Sequence, residues 1–309
     1  MGPEPIPAAE VDITDQIVAD LVRSQHPDLA HLRVSRFAEG WDNTLFRLGE
    51  RYLVRVPRRS AAADLVDNEI RWLHRIAPRL TVPIPVPVRV GRPDAGRGLP
   101  WRWTIVDWVP GTPLADVLAA DMPATERIEV ANDLARVLGE LHRPAAAGAP
   151  ANPYRGGPLA DRDVITRERL GDLRGDLQAA GLDPGQIERV WAGAVAEPPW
   201  SGPALWLHGD LHPLNVIVRG GRVAALIDWG DMTAGDPATD LAIAWMALSA
   251  HARNRFRSNT PLAIDDSTWK RGRGWALSLA LAYLAHSLDH PGMAGIGGST
   301  LREGSGSDG

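Results

Sequence analysis

Between Leu207 and Val218 the chain reads LHGDLHPLNVIV, which sets His208, Asp210, His212 and Asn215 beside an apolar run. A second polar point, Asp228-Trp229-Gly230, closes the next apolar run, RVAALI. The β-like runs NVIV and RVAALI, joined at Gly220-Gly221, deliver Asn215 and Asp228 to neighbouring loop ends, with Asp210 on the loop before them. Two carboxylates and an amide carbonyl around one small space suit Mg²⁺, which keeps several waters and takes one or two protein carboxylates. His208, Asp210 and His212 also fit a metallohydrolase ligand set, although no second histidine pair recurs at comparable spacing. A single aspartate is usually a turn or cap residue, so it is the joint arrangement that points to chemistry.

The bulk composition narrows what this cluster can be. The chain has 309 residues, 44% hydrophobic and 23% charged, with a formal net charge of −5. These are the proportions of a soluble globular protein, and without a long basic run nucleic acid is not an expected partner. There is no cysteine, which excludes thiolate metal sites and a cysteine nucleophile. Of 33 basic residues only Lys270 is lysine, between Trp269 and Arg271, so a Walker phosphate loop is excluded. The longest apolar helix candidate, WALSLALAYLAHSL, is shorter than the ~20 residues a membrane span needs. No secretory signal opens the chain. The expectation is a cytoplasmic protein, monomer or homodimer, without membrane partners.

The elements that must position the cluster change character along the chain. A helix is expected over Asp12–Ser24, then three β-like runs, LRVSRFA, TLFRLG and RYLVRVP, then a helix over Asp64–Ile76. VPIPVPVRVG reads as an extended edge because proline alternates with β-branched residues. WRWTIVDWV reads as a further strand, ended by PGTPL. From Pro123 long helices take over, with Ile128, Ala131, Leu134, Leu138 and Leu141 on one face. Two helices are expected within 162–196, and two more over Pro237–Arg253 and Asp266–Leu288. The glycine-rich end, GGSTLREGSGSDG, reads as frayed. Its formal dinucleotide fingerprint, Gly304 to Gly309, lacks a strand before it and a helix after it.

His-Gly-Asp, four residues, Asn, then Asp-Trp-Gly resembles the catalytic and metal-binding loops of the aminoglycoside phosphotransferase family. The resemblance implies an α+β, protein-kinase-like fold of two lobes: a nucleotide-binding lobe over 1–107, with a small antiparallel sheet and one helix, and a mainly helical catalytic and substrate lobe over 108–309. It implies that Asp210 is the catalytic base or positions the acceptor hydroxyl, that Asn215 and Asp228 hold Mg²⁺, and that His208 ties the loop down. Asp236 and Asp240 match the family's GDPxxDLA segment and are read mainly as structural, with Asp236 capping the helix that begins at Pro237. The nucleotide loop would be Gly40, Trp41, Asn43 and Thr44, giving backbone N–H groups and hydroxyl contacts. Arg55 stands where the family usually has lysine, and Glu69 where it has the pairing glutamate. The backbone from Asp107 to Val109 would meet the purine, with Ile105 and Trp108 packed near it.

The implied reaction moves the γ-phosphoryl group of ATP or GTP to a hydroxyl of a small molecule. GWDN and RVPRR resemble the branch holding aminoglycoside and macrolide kinases, which would make this an antibiotic-resistance kinase. Another metabolite as acceptor, or a nucleotide-binding module without turnover, remain alternatives. The acceptor would lie among the late aspartates and tryptophans, of which Asp231, Asp236 and Trp269 are the named candidates. Most of the others, including Asp265, Asp266, Asp289, Trp245 and Trp275, read as caps or core.

Overall fold

The computed structural model describes residues 8–261, 264–286 and 291–306; Leu288 and Asp289 lie outside the described residues. Helix α1 (Asp15–Gln25) starts at Thr14, whose hydroxyl accepts the Ile17 amide hydrogen, rather than at Asp12. Its Val18, Leu21 and Val22 face covers one side of a five-stranded antiparallel sheet of order β1-β2-β3-β5-β4. The strands are β1 (Val34–Glu39), β2 (Asn43–Leu48), β3 (Tyr52–Pro57), β4 (Pro87–Gly91) and β5 (Trp103–Asp107), and helix α2 (Ser60–Ile76) follows β3. The proline-rich strand β4 lies at the sheet edge, where a missing amide costs no ladder bond. Period two sorts the side chains: Phe46, Leu48, Val54, Val56, Trp103 and Ile105 join the α1 face, whereas Arg55 pairs with Glu69 of α2.

Helix α2 is amphipathic, yet its Trp72, Leu73 and Ile76 belong to the core of the larger lobe, where the Trp72 and Trp206 rings lie 5.0 Å apart. The expected small lobe of residues 1–107 therefore includes a helix that packs into its neighbour.

The larger lobe opens with β6 (Thr112–Pro113), α3 (Leu114–Ala119) and α4 (Ala124–Leu141). Three helices rather than two fill the next region: α5 (Asp163–Asp172), α6 (Arg174–Ala179) and α7 (Pro184–Val195). Then come β7 (Leu205–Leu207), the hairpin β8 (Val216–Arg219) and β9 (Arg222–Leu226), and β10 (Thr233–Gly235) antiparallel to β7. The helix expected over Pro237–Arg253 is three pieces, α8 (Ala238–Leu241), α9 (Ile243–Ala247) and α10 (Ala250–Asn259). Leu248 turns extended, and Ser249, a residue suited to non-helical cap backbone, restarts the helix. Helix α11 (Asp266–His286) runs through the lobe. No helix among the described residues is long and apolar enough to cross a membrane.

The end of the chain corrects the expectation of fraying, because Pro291–Ser305 forms α12 against α11. A Cβ at Gly297 would stand 2.9 Å from Ala280 O, and one at Gly304 2.8 Å from a Leu277 methyl. The glycines let the two helices approach closely, and Ile296 and Leu301 fill the seam.

Candidate active site

Four segments meet where the sheet faces the larger lobe. The first is the loop His208–Asp210 after β7. Gly209 has φ +87°, and a Cβ there would lie 2.0 Å from Asp231 O, so both torsion and space require glycine. Asp240 of α8, wholly buried, holds this loop: its carboxylate accepts the amide hydrogens of His208 (2.8 Å) and Gly209 (2.9 Å) and faces His142 Nε2 at 3.0 Å. His208 Nε2 then donates to Ile227 O at 2.9 Å, and its ring packs on Trp229. The loop carrying Asp210 and the strand end carrying Asp228 are thereby tied together.

The second segment is Asp228 itself, with φ +59°, a left-handed conformation that costs a non-glycine residue roughly 1 kcal/mol or more. That turn aims its carboxylate into the cleft, 61% exposed and 3.7 Å from Arg55. The third is the Arg55–Glu69 pair, forked at 2.6 and 2.9 Å and almost fully buried. Arginine in place of lysine thus keeps the pairing and occupies both glutamate oxygens. The fourth was not foreseen from the sequence: Arg155, on the stretch before α5, donates to Asp210 Oδ1 at 3.1 Å. Asn152 fixes this stretch, its amide hydrogen on Thr233 Oγ1 (3.0 Å) and its side chain on Asp231 (2.6 Å).

Burial alone would raise the Asp210 carboxyl, but His212 and Arg155 outweigh it and hold the group well below the usual carboxylate range. Enclosure pushes the Asp228 carboxyl the other way, to about 6, with Glu69, Asp210 and Asp231 adding to the push and Arg55 opposing it. Because Asp228 opens onto the cleft, solvent screens part of that push. Burial and Asp210 also raise the Asp231 carboxyl. Two neighbouring carboxylates therefore sit in opposed electrostatic settings, one kept ionised by cations and one poised to take a positive charge.

Asn215 closes the group. Its Nδ2 donates to Asp210 O at 2.9 Å and meets His212 Nε2 at 3.1 Å, so its amide oxygen is the atom left to serve as a ligand. Asp228 and one amide oxygen fit Mg²⁺ that arrives with phosphate oxygens, and no cluster of three or more metal-binding side chains exists among the described residues. The metallohydrolase reading fails on the same geometry: His208 is buried with Nε2 on a backbone carbonyl, so it does not converge with His212 on a common point.

The β1–β2 turn is held by Arg58, which donates to Gly40 O at 2.8 Å, and by Arg59 on Asp42 at 2.7 Å. Trp41 at its tip is 40% exposed, and Asn43 Oδ1 is buried without a partner. The Thr44 hydroxyl is a correction: Thr44 shares the parity of Phe46 and Leu48, so its side chain lines a small cavity against residues 9–13 instead of facing the cleft. Ile105 is displaced to the α1 face by the same rule. At the hinge, Asp107 pairs with Arg51, and the Trp108 amide donates to Arg51 O at 2.6 Å. Val109, at the end of this stretch, is half-buried. The Trp108 ring packs edge-on to Phe37, under Arg47.

Among the acceptor candidates only Asp231 reaches the site. Asp236 is buried in an ion pair with Arg271 and caps α8 through the Ala238 amide hydrogen, which leaves it no oxygen for a ligand. Trp269, half-buried near the start of α11, packs on Trp245 and Phe256 at the edge of the core.

A small antiparallel sheet over a helical lobe, with an ion-paired arginine above two linked aspartate loops, is the kinase-like two-lobe fold. Residues 33–275 match the phosphotransferase enzyme family, and the chain belongs to that family. A protein of Bacillus subtilis, YcbJ, is 25% identical over 207 residues, and the match spans 62% of that relative's length. The fold is shared with an aminoglycoside 2'-phosphotransferase-IIIa solved as its GDP complex (TM-score 0.70, 19% identity, 95% of this chain and 99% of that one). It is also shared with the macrolide 2'-phosphotransferase MphH of Brachybacterium faecium (TM-score 0.62, 20% identity, 92% and 97%).

Proposed function

We propose that this chain transfers the γ-phosphoryl group of ATP or GTP to a hydroxyl of a small molecule. The observation that carries the reading is the tie from His208 to Ile227, which sets Asp210 and Asp228 side by side beneath the buried Arg55–Glu69 pair. Arg55 faces the phosphates, and the backbone at Asp107 and Val109 receives the base, since the Trp108 amide is already bonded. Asp228 and Asn215 Oδ1 would hold Mg²⁺, which neutralises phosphate charge when bound.

In the transfer, the bond from the γ-phosphorus to its bridging oxygen breaks, the acceptor oxygen bonds to phosphorus, and the nucleoside diphosphate leaves. Asp210 orients the hydroxyl. A carboxylate held low is a weak base, so it takes the proton late, when the new bond has made the hydroxyl acidic. Arg155 keeps Asp210 ionised and aimed until the acceptor arrives. Aminoglycosides and macrolides, the compounds named for the proteins of like fold, are the first acceptors to try.

The test is mass spectrometry of products after incubation with Mg²⁺, ATP or GTP, and acceptors of both kinds together with acidic and neutral sugars. A product 80 Da heavier (one HPO₃ gained), absent with Asp210→Ala, is expected. Nucleotide binding by calorimetry without any transfer would replace the proposal with a binding module.

A further inference from the structure

Beside Asp210 and Asp231 a cavity of about 630 Å³ opens between α11 and the stretch from Tyr154 to Arg169. Three guanidinium groups line it: Arg155, Arg162 and Arg169. Arg162 and Arg169 are seven residues apart, which puts both on one face of α5 and its approach. Their partners are few. Arg155 is committed to Asp210. Arg169 meets only the neutral or cationic ring of His286, at 3.2 Å, and neither it nor Arg162 forms an ion pair among the described residues.

Each of the three also has a buried nitrogen without a hydrogen-bond partner: Nε of Arg155, Nε of Arg162 and Nη1 of Arg169. The arginines on the outer face of the same region behave differently, Arg167 pairing with Asp163 and Glu188, and Arg174 with Glu188. Two carboxylates stand at the cavity, but Asp231 is engaged with Asn152, and Asp161 is exposed and pairs with neither arginine. Burial first, and then the neighbouring cations (Arg155 on Arg162; Arg162 and Arg155 on Arg169), disfavour the charge that both guanidinium groups nevertheless carry, as expected of cations crowded without counter-ions.

Guanidinium groups crowded along a cavity without counter-ions favour an occupant that supplies oxygen atoms and negative charge to their accessible nitrogens. The planar fork of arginine matches carboxylate and phosphate. We propose that the acceptor is a hydroxyl compound bearing an oxyanion, carboxylate or phosphate, which docks between Arg162 and Arg169 while its hydroxyl meets Asp210. Arg162 and Arg169 are then specificity-determining residues, and a polycation is disfavoured in the same pocket. This rests on the phosphotransferase reading for the direction of the hydroxyl, but not for the binding itself.

The experiment is calorimetric binding to the full chain saturated with Mg-ADP, which keeps the probes out of the nucleotide site. The probes are glucuronate and glucose 6-phosphate, neutral glucose, and kanamycin. Wild type is expected to bind at least one acid about tenfold or more tighter than glucose or kanamycin. That preference is expected to disappear in Arg162→Gln/Arg169→Gln, whose Mg-ADP affinity reports that it is folded. The better of the two acids tells carboxylate from phosphate. Equal binding of glucose or kanamycin, no binding of either acid, or a preference that survives the double substitution overturns the proposal. A protein that binds the acids yet phosphorylates nothing overturns the kinase reading and leaves the pocket standing.

Discussion

Asp240 offers a sharp test of how the loop carrying Asp210 is held, because its replacement by asparagine alters hydrogen bonding with almost no change of shape. Oδ2 accepts from the His208 amide and faces His142, and Oδ1 accepts from the Gly209 amide. An asparagine keeps one oxygen. Whichever way its amide turns, an NH₂ group meets a backbone N–H, and the site is fully buried. One orphaned buried donor costs about 1–3 kcal/mol, and loss of the charge from the remaining bonds adds roughly 1 more, for a total of about 2–4 kcal/mol. At about 2–4 °C per kcal/mol for large domains, Asp240→Asn should unfold about 4–16 °C lower. Asp210 is the next residue after Gly209, and a shift of about 1 Å can cost on the order of 100-fold in rate. Scanning calorimetry and initial-rate phosphoryl transfer are the assays, with Mg²⁺-free nucleotide affinity as control, expected to change least because Arg55 and Glu69 lie on β3 and α2. Unfolding within about 1 °C of wild type and an unaltered rate would refute the assignment of Asp240 as the loop's anchor.

Gly209→Ala combines a disfavoured torsion with a methyl group 2.0 Å from Asp231 O, so expression of folded protein with turnover above about a hundredth of wild type would contradict the packing described. Glu69→Gln leaves Arg55 buried with Asp228 alone, and a stability loss of about 3–5 kcal/mol in urea titration is expected. Asp133 is 2% exposed and accepts from Arg222, Arg136 and the Val223 amide, so its carboxyl is held low even though burial opposes this. A depressed folded-state value stabilises above the ordinary carboxyl range and is lost as pH falls through it. The gap in melting temperature between wild type and Asp133→Asn should therefore be full at pH 7 and narrow below about pH 4; a gap that is constant with pH would be the contrary result.

The parts of the site carried by one short segment were legible. His208, Asp210, Asn215 and Asp228 are spaced along a loop and a hairpin, so local chain geometry alone brings them together. Arg155 was not, because it lies 55 residues before Asp210 and is placed by hydrogen bonds from residues 150–156 to β10, to the Asp236 amide and to the Thr239 hydroxyl of α8. Nothing within its own sequence, ANPYRGG, announces that contact. Thr44 was misplaced for an avoidable reason, since the parity of Phe46 and Leu48 already assigns it to the core side of β2. The final helix was hidden by composition: Gly297 and Gly304 look like breakers in isolation and become close-contact positions only when α11 is beside them. Asp236 was visible as a cap, but its buried partner Arg271 comes from a helix later in the chain.

Helix α2 is built early in synthesis and completed late. Its Trp72, Leu73 and Ile76 stripe joins a core built mostly from α3 and α4 onward, and the ring that Trp72 meets, Trp206, leaves the ribosome later still. Until then the nascent sheet carries an uncovered aromatic and aliphatic strip, the kind of surface that chaperones hold and that aggregates when they do not. A fragment cut after β5 would keep that strip permanently bare, so the sheet that grips the nucleotide in the proposed reaction cannot be expected to stand as an independent piece. The same helix carries Glu69, so the buried arginine of β3 gains its counter-ion from an element that packs on β3 and β4 and also reaches the core of the other lobe. The charged pair thereby sits on a helix that both lobes hold.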